Sequence, residues 1–133
     1  MENERVTLTV PARGEYAKTV RMTAAALVSR MGMSYDDVDD VRIAAEEAFV
    51  YACDSEPASG DVTLLFLPQG DLVRIDVSLG SGGPVHGEDA ERRASYATFI
   101  LQSVCDRFEL SSDENGAWLR LEKRSSSVSI DDV

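Results

Sequence analysis

The stretch from Asp36 to Cys53, DDVDDVRIAAEEAFVYAC, constrains this chain more than any other. At 3.6 residues per turn, Val38, Val41, Ala45, Ala48, Phe49 and Ala52 fall on one face, the spacing of a buried stripe. A helix with its apolar side against a core is predicted. Asp36, Asp37, Asp39 and Asp40 crowd its first turns, where the positive end of a helix dipole favours them. Ser34 stands just before them as the predicted N-cap. The opposite face is less ordinary, because Ile43, Glu47 and Tyr51 stack there at i, i+4 and i+8. Glu47 is either a surface glutamate, the usual fate of a charged side chain, or part of a second interface or ligand site.

The rest of the chain supplies partners for that helix. Val6–Val10, VTLTV, alternates as a half-buried strand does, and Pro11 ends it. Glu15–Arg30 is predicted helical, with Tyr16, Val20, Thr23, Leu27 and Val28 on one face and Gly32 as its stop. Asp61–Leu67 and Leu72–Leu79 read as strands joined by a Pro-Gln-Gly-Asp turn. In the second of them Val73, Ile75, Val77 and Leu79 point one way, and Leu72, Arg74, Asp76 and Ser78 the other. Val85–Arg93 is polar and reads as a loop, and Ala94–Cys105 as a helix. Arg107–Ser111 and Ala117–Glu122 are strands around an Asp-Glu-Asn-Gly turn. The order β-α-α-β-β-α-β-β segregates helices from hairpins. It predicts an α+β two-layer sandwich, a mostly antiparallel sheet with three helices on one face. Residues 1–123 are read as one domain, and the serine-rich, then acidic, segment 124–133 as a disordered tail.

Charge narrows the partners. With 24 acidic against 13 basic side chains, the formal net charge is −11. Such a field repels phosphate backbones, which argues against direct nucleic-acid binding and suits a basic protein partner. Cys53, Cys105 and the single histidine, His86, match no zinc spacing, so no metal site is assigned. No apolar run approaches the ~18 residues of a membrane span. The first residues, MENERVTLTV, are acidic and strand-like rather than a signal peptide, and a cytoplasmic location is expected.

Few residues suggest chemistry. Glu47, beside apolar neighbours that would raise its pKa, is a candidate general base. The glycines Gly80, Gly82 and Gly83, directly after a strand, can present bare N–H groups to a phosphate or make a tight turn. They lack the lysine of a Walker loop and match no dinucleotide fingerprint. His86 has no carboxylate or serine partner identified by spacing, and Trp118 reads as core.

In order, four segments resemble one family: VTLTVPARGEYAKTVR, DDVRIAAEEAFVYAC, VRIDVSLGSGG and FILQSVCDRFELSSDENGAWLRLEK. It is the anti-sigma-factor, serine-protein-kinase branch of the GHKL (histidine-kinase-like) ATPases, the RsbW type. The second segment is similar to the N-box helix and the third to the strand entering the first glycine box, Asp-x-Gly-x-Gly. The resemblance implies ATP and Mg2+ as cofactors, with Glu47 at the position of the catalytic base. It places Tyr51 where the family has the magnesium-binding asparagine, and Ser78 at the adenine-binding aspartate. Gly80 and Gly82 match the two glycines, and Ala117 stands at the usual threonine. The second glycine box is replaced by ERRASYATF, which has no glycine.

The resemblance implies a role in transcription regulation and the stress response. Two functions follow. One is a binding protein that sequesters a sigma factor and is released by an anti-anti-sigma partner, with ATP binding weakened or lost. The other is an active kinase that phosphorylates a serine of the anti-anti-sigma factor. A tyrosine is a bulky substitute for a magnesium ligand, and that favours the first. A homodimer through the sheet edge and first-helix region is also implied.

Overall fold

The computed structural model describes residues 4–80, 87–114 and 116–126. Five strands, β1 (Val6–Pro11), β2 (Asp61–Gln69), β3 (Leu72–Gly80), β4 (Arg107–Asp113) and β5 (Gly116–Arg124), form one sheet in the order β1-β2-β3-β5-β4. Every neighbouring pair is antiparallel. Helices α1 (Ala17–Ser29), α2 (Tyr35–Asp54) and α3 (Glu88–Val104) pack side by side, with α2 in the middle. This is the α+β sandwich the pattern predicts.

Alternation decides which sheet face is covered. Val62, Leu64 and Phe66 of β2, Val73, Ile75, Val77 and Leu79 of β3, and Leu119 and Leu121 of β5 are buried in one cluster with the helices. From α2 that cluster takes Val41, Ala44, Ala45, Ala48, Phe49 and Ala52. Ser34 caps α2 as expected, its Oγ accepting from the Asp37 N–H at 3.1 Å. The β2–β3 loop is two residues long, and Gly70 adopts φ 68° as the first residue of a type II′ turn requires.

Four readings change. The segment before α1 is a single 3-10 turn, Gly14–Tyr16, so the α-helix starts at Ala17. Residues 88–93, read as loop, are the first turns of α3. Glu88, Asp89 and Glu91 sit at its positive end, and Arg92 pairs with Glu88 and Asp89. Trp118 lies on the uncovered sheet face and is only half-buried, opposite Ser78. The ordered chain also outruns residue 123. Strand β5 reaches Arg124, Ser125 N–H donates to Asp71 O, and Ser126 donates from N and Oγ to the Asp37 carboxylate at 2.8–2.9 Å. Asp37 is thereby buried, 2% exposed. The remainder of the expected tail, 127–133, lies outside the described residues.

The uncovered sheet face has one buried charge. Asp76 is 4% exposed although no helix covers it. Arg74, two residues back on the same strand, and Arg120, its partner across β5, each clasp it with two hydrogen bonds of 2.9–3.3 Å. Burial opposes ionisation of Asp76, but the bonds and charges of the two guanidiniums outweigh it and hold the carboxyl below its ordinary value of 3.8. A depressed carboxylate stabilises the fold above the unfolded value and loses that contribution as pH falls through the folded one. Asp76→Ala is therefore expected to cost about 2 kcal/mol at pH 7, less than a fully buried pair because both arginines are one-third exposed. Urea unfolding should also show the variant losing less stability than the parent below about pH 4. A cost under about 0.5 kcal/mol would show that the clasp is not structural.

Candidate functional site

Two ion pairs orient α2. Asp40 accepts from Lys123 Nζ of β5 at 3.0 Å, and Asp54 takes the Arg93 guanidinium of α3 at 2.9 and 3.0 Å. At 100° per residue, Glu47 and Tyr51 lie on the same side of the helix as these two aspartates, facing α3. The other flank carries Glu46, which binds Arg21 of α1 at 2.7 Å.

Glu47 is half-buried and makes no hydrogen bond or ion pair with any described residue. Burial and the adjacent Glu46 charge push its carboxyl above the usual range. Tyr51 packs against the core, and burial raises its phenol as well.

The strand end does not bring all the predicted residues to this side. Ser78 points to the uncovered sheet face, where its Oγ accepts from Thr63 N–H at 2.9 Å. That is the face away from the helices, whereas the resemblance implies a place beside a nucleotide. The pleat puts Leu79 on the helix side instead, buried in the core. Gly80 and Ala117 are Cα partners across β3 and β5, beside an irregularity in the register. Ala117 packs against the core. Gly82, with Gly83 and His86, lies outside the described residues.

The α2–α3 junction holds what the sequence pattern missed. Asp54, Glu56, Glu88, Asp89 and Arg93 line a cleft of about 350 Å³ together with Gly87. Four of these five charged groups are carboxylates, and the arginine is already held by Asp54. Reading the charged run before Ala94 as a loop hid both the helix start and this pair. Among the described residues, no group of three or more His, Cys, Asp or Glu is placed to hold a metal ion.

The fold agrees with what the chain resembles. A model of the histidine kinase-like ATPase domain matches residues 10–123. This chain belongs to the histidine kinase-like ATPase domain family. Relatives named serine-protein kinase RsbW include that of Halalkalibacterium halodurans, 26% identical over 125 residues, covering 83% of this chain and 77% of the relative. The Listeria monocytogenes protein is 29% identical over 130 residues, covering 84% and 82%. A crystal structure of the RsbU and RsbW domains of a Mycobacterium tuberculosis protein superposes with a TM-score of 0.65 over 92% of this chain, at 17% identity. The match spans 32% of that longer chain, and at this identity it speaks for the fold alone.

A family of ATPases implies ATP and Mg2+, and the described residues do not fit them. Magnesium needs small oxygen ligands at near-octahedral geometry. Tyr51 offers a bulky phenol packed on the core. No carboxylate or amide stands where Leu79 faces the helices. The nearby cleft opposes phosphate with four carboxylates, and its arginine is engaged.

Calorimetry is therefore expected to find Mg2+–ATP binding weaker than about 1 mM for the wild type and for Tyr51→Asn alike. Tight binding by either would contradict this reading of the site. Glu47 gives an independent check. A carboxyl raised on folding destabilises the native state at neutral pH, and that penalty vanishes below its unfolded value of 4.5. Glu47→Gln should thus match or exceed the parent in urea unfolding at pH 7, with the gain gone by about pH 4. A clear loss at pH 7 would mean that the carboxylate is structural.

Proposed function

We propose that this chain is an RsbW-type regulatory protein that works by binding rather than by phosphoryl transfer. It holds a sigma factor, an anti-anti-sigma factor, or each in turn, and so regulates transcription in a stress response. Family membership and the run of relatives named serine-protein kinase RsbW support the class. The observation that carries the mechanism is the pair Tyr51, half-buried against the core, and Leu79, buried in it, on the side of α2 and β3 where the resemblance implies polar cofactor ligands. A net charge of −11 supports a basic partner met by fast, salt-sensitive encounter. Among the described residues no helix is long and apolar enough to cross a membrane. Strand β1, which pairs on one side only among the described strands, supports a homodimer formed at that edge beside α1.

The competing reading, an active serine kinase, is favoured by the kinase name the relatives carry and by Glu47, whose raised carboxyl suits a general base. The test pairs this chain with the sigma factor and the anti-anti-sigma factor of its own organism. Stopped-flow binding to the sigma factor is expected to show an association rate that falls steeply with ionic strength. Incubation of the antagonist with labelled ATP should leave it unlabelled. Labelled antagonist would establish the kinase. No complex with either protein would sink the regulatory reading.

A further inference from the structure

Two side chains on α3 are unusual for a solvated helix. Tyr96 and Phe99 are 63% and 64% exposed, one turn apart on its outer side. Ile43 of α2 is 40% exposed. Single exposed apolar residues are ordinary, but adjoining ones mark contact surfaces.

Their arrangement follows from the helix pairing. Asp54, at the end of α2, holds Arg93, near the start of α3. Asp40, near the start of α2, holds Lys123 of β5, whose neighbour Glu122 accepts from Asp106 just beyond α3. The two helices are thus antiparallel. Counting back from Asp54 and forward from Arg93 sets Tyr96 level with Tyr51, and Ile100 level with Glu47. Tyr96 therefore borders the groove that holds the unpaired Glu47 carboxylate, and Phe99 extends this aromatic ridge one turn further on the outer side of α3. At the groove's Asp54 end stand Glu56, Glu88 and Asp89, and the local cations Arg92 and Arg93 are already in ion pairs.

We propose that the α2–α3 groove is a protein-docking surface for a helical segment with apolar anchors on one face and lysine or arginine beside them. The inference rests on the binding reading above and names the chemistry of the partner. Tyrosine and phenylalanine bring large contact area with few rotatable bonds to immobilise. Glu47, half-buried and unpaired, gains a cation without first breaking an existing pair. The acidic frame steers a basic segment and repels nucleic acid and anionic lipid. A second copy of this chain is the wrong occupant, because it would bring another −11 charge against the same carboxylates.

The test uses the full chain and a fluorescent amphipathic Leu/Lys helix of about 18 residues, five turns. A scrambled peptide of equal composition has the same charge without an apolar face. Anisotropy is expected to show the amphipathic peptide binding at least about tenfold tighter than the scrambled one. The double variant Tyr96→Ser, Phe99→Ser should lose that preference, and Glu47→Gln should weaken it several-fold, roughly 1 kcal/mol. Both variants should keep the parental circular dichroism, since the two rings lie largely in water.

Equal binding of the two peptides would mean general attraction to an acidic protein and would overturn the proposal. So would undiminished preference in the folded double variant. A dimer that becomes monomeric in the double variant, with peptide binding unchanged, would assign the ridge to a second copy and overturn it as well. Failure of the sigma factor and the antagonist to bind, with the peptide preference intact, would refute the regulatory reading and leave the groove standing.

Discussion

The close seating of α2 on the sheet is the constraint on which the rest depends. Ala44, Ala45, Ala48 and Ala52 are at most 1% exposed, with Val41 and Phe49 fully buried beside them. Side chains that stop at Cβ let the helix backbone approach the strands and both neighbouring helices. A larger residue in that stripe would overpack the core, at a cost of about 1–3 kcal/mol. Because α2 is fixed this way, its flank toward α3 is fixed too. Glu47 and Tyr51 are held there at the cost of part of their hydration, and Ser55 ties the helix end to Leu79 O.

The same molecule spends its cations internally. Arg21, Arg93, Arg120, Lys123 and Arg124 join separate parts of the fold through acidic partners, and Arg74 holds Asp76 within β3. Asp37 and Asp76, the buried charged side chains among the described residues, are held within such networks. Burial opposes ionisation of Asp37 as well, and the Ser126 bonds, with smaller help from Ser34 and Lys123, keep its carboxyl below the ordinary value. The acidic surplus is left to solvent. A surface poor in free cations is ill suited to a triphosphate and well suited to a basic protein, and both sides of the functional account follow from that one asymmetry.

Much of the fold was legible because it rests on local periodicity. The stripe of α2, its serine cap and the alternation in β3 are repeating patterns within short windows. The start of α3 was not legible, because its first turns are charged and reveal their helix only through the dipole and the Arg93 pair. The ends of long-range bonds, Ser126 on Asp37 and Arg93 on Asp54, carry no periodic signal. Ser78 is instructive in another way. Alternation along β3 already put it with Arg74 and Asp76, away from Val73, Ile75 and Val77. Matching it to a motif by type of residue ignored the pleat, and Leu79 is the residue that meets the helices.

The most direct test of a protein that binds its partner without nucleotide is to titrate the sigma factor of its own organism into this chain, with and without Mg2+–ATP. Calorimetry should return the same affinity in both titrations, because a ligand that does not bind cannot shift the equilibrium. A complex that needs nucleotide, or one whose affinity moves by about tenfold on adding it, would mean that ATP and the partner are coupled by roughly 1.4 kcal/mol. The half-buried Tyr51 and the buried Leu79 would then be no bar to nucleotide.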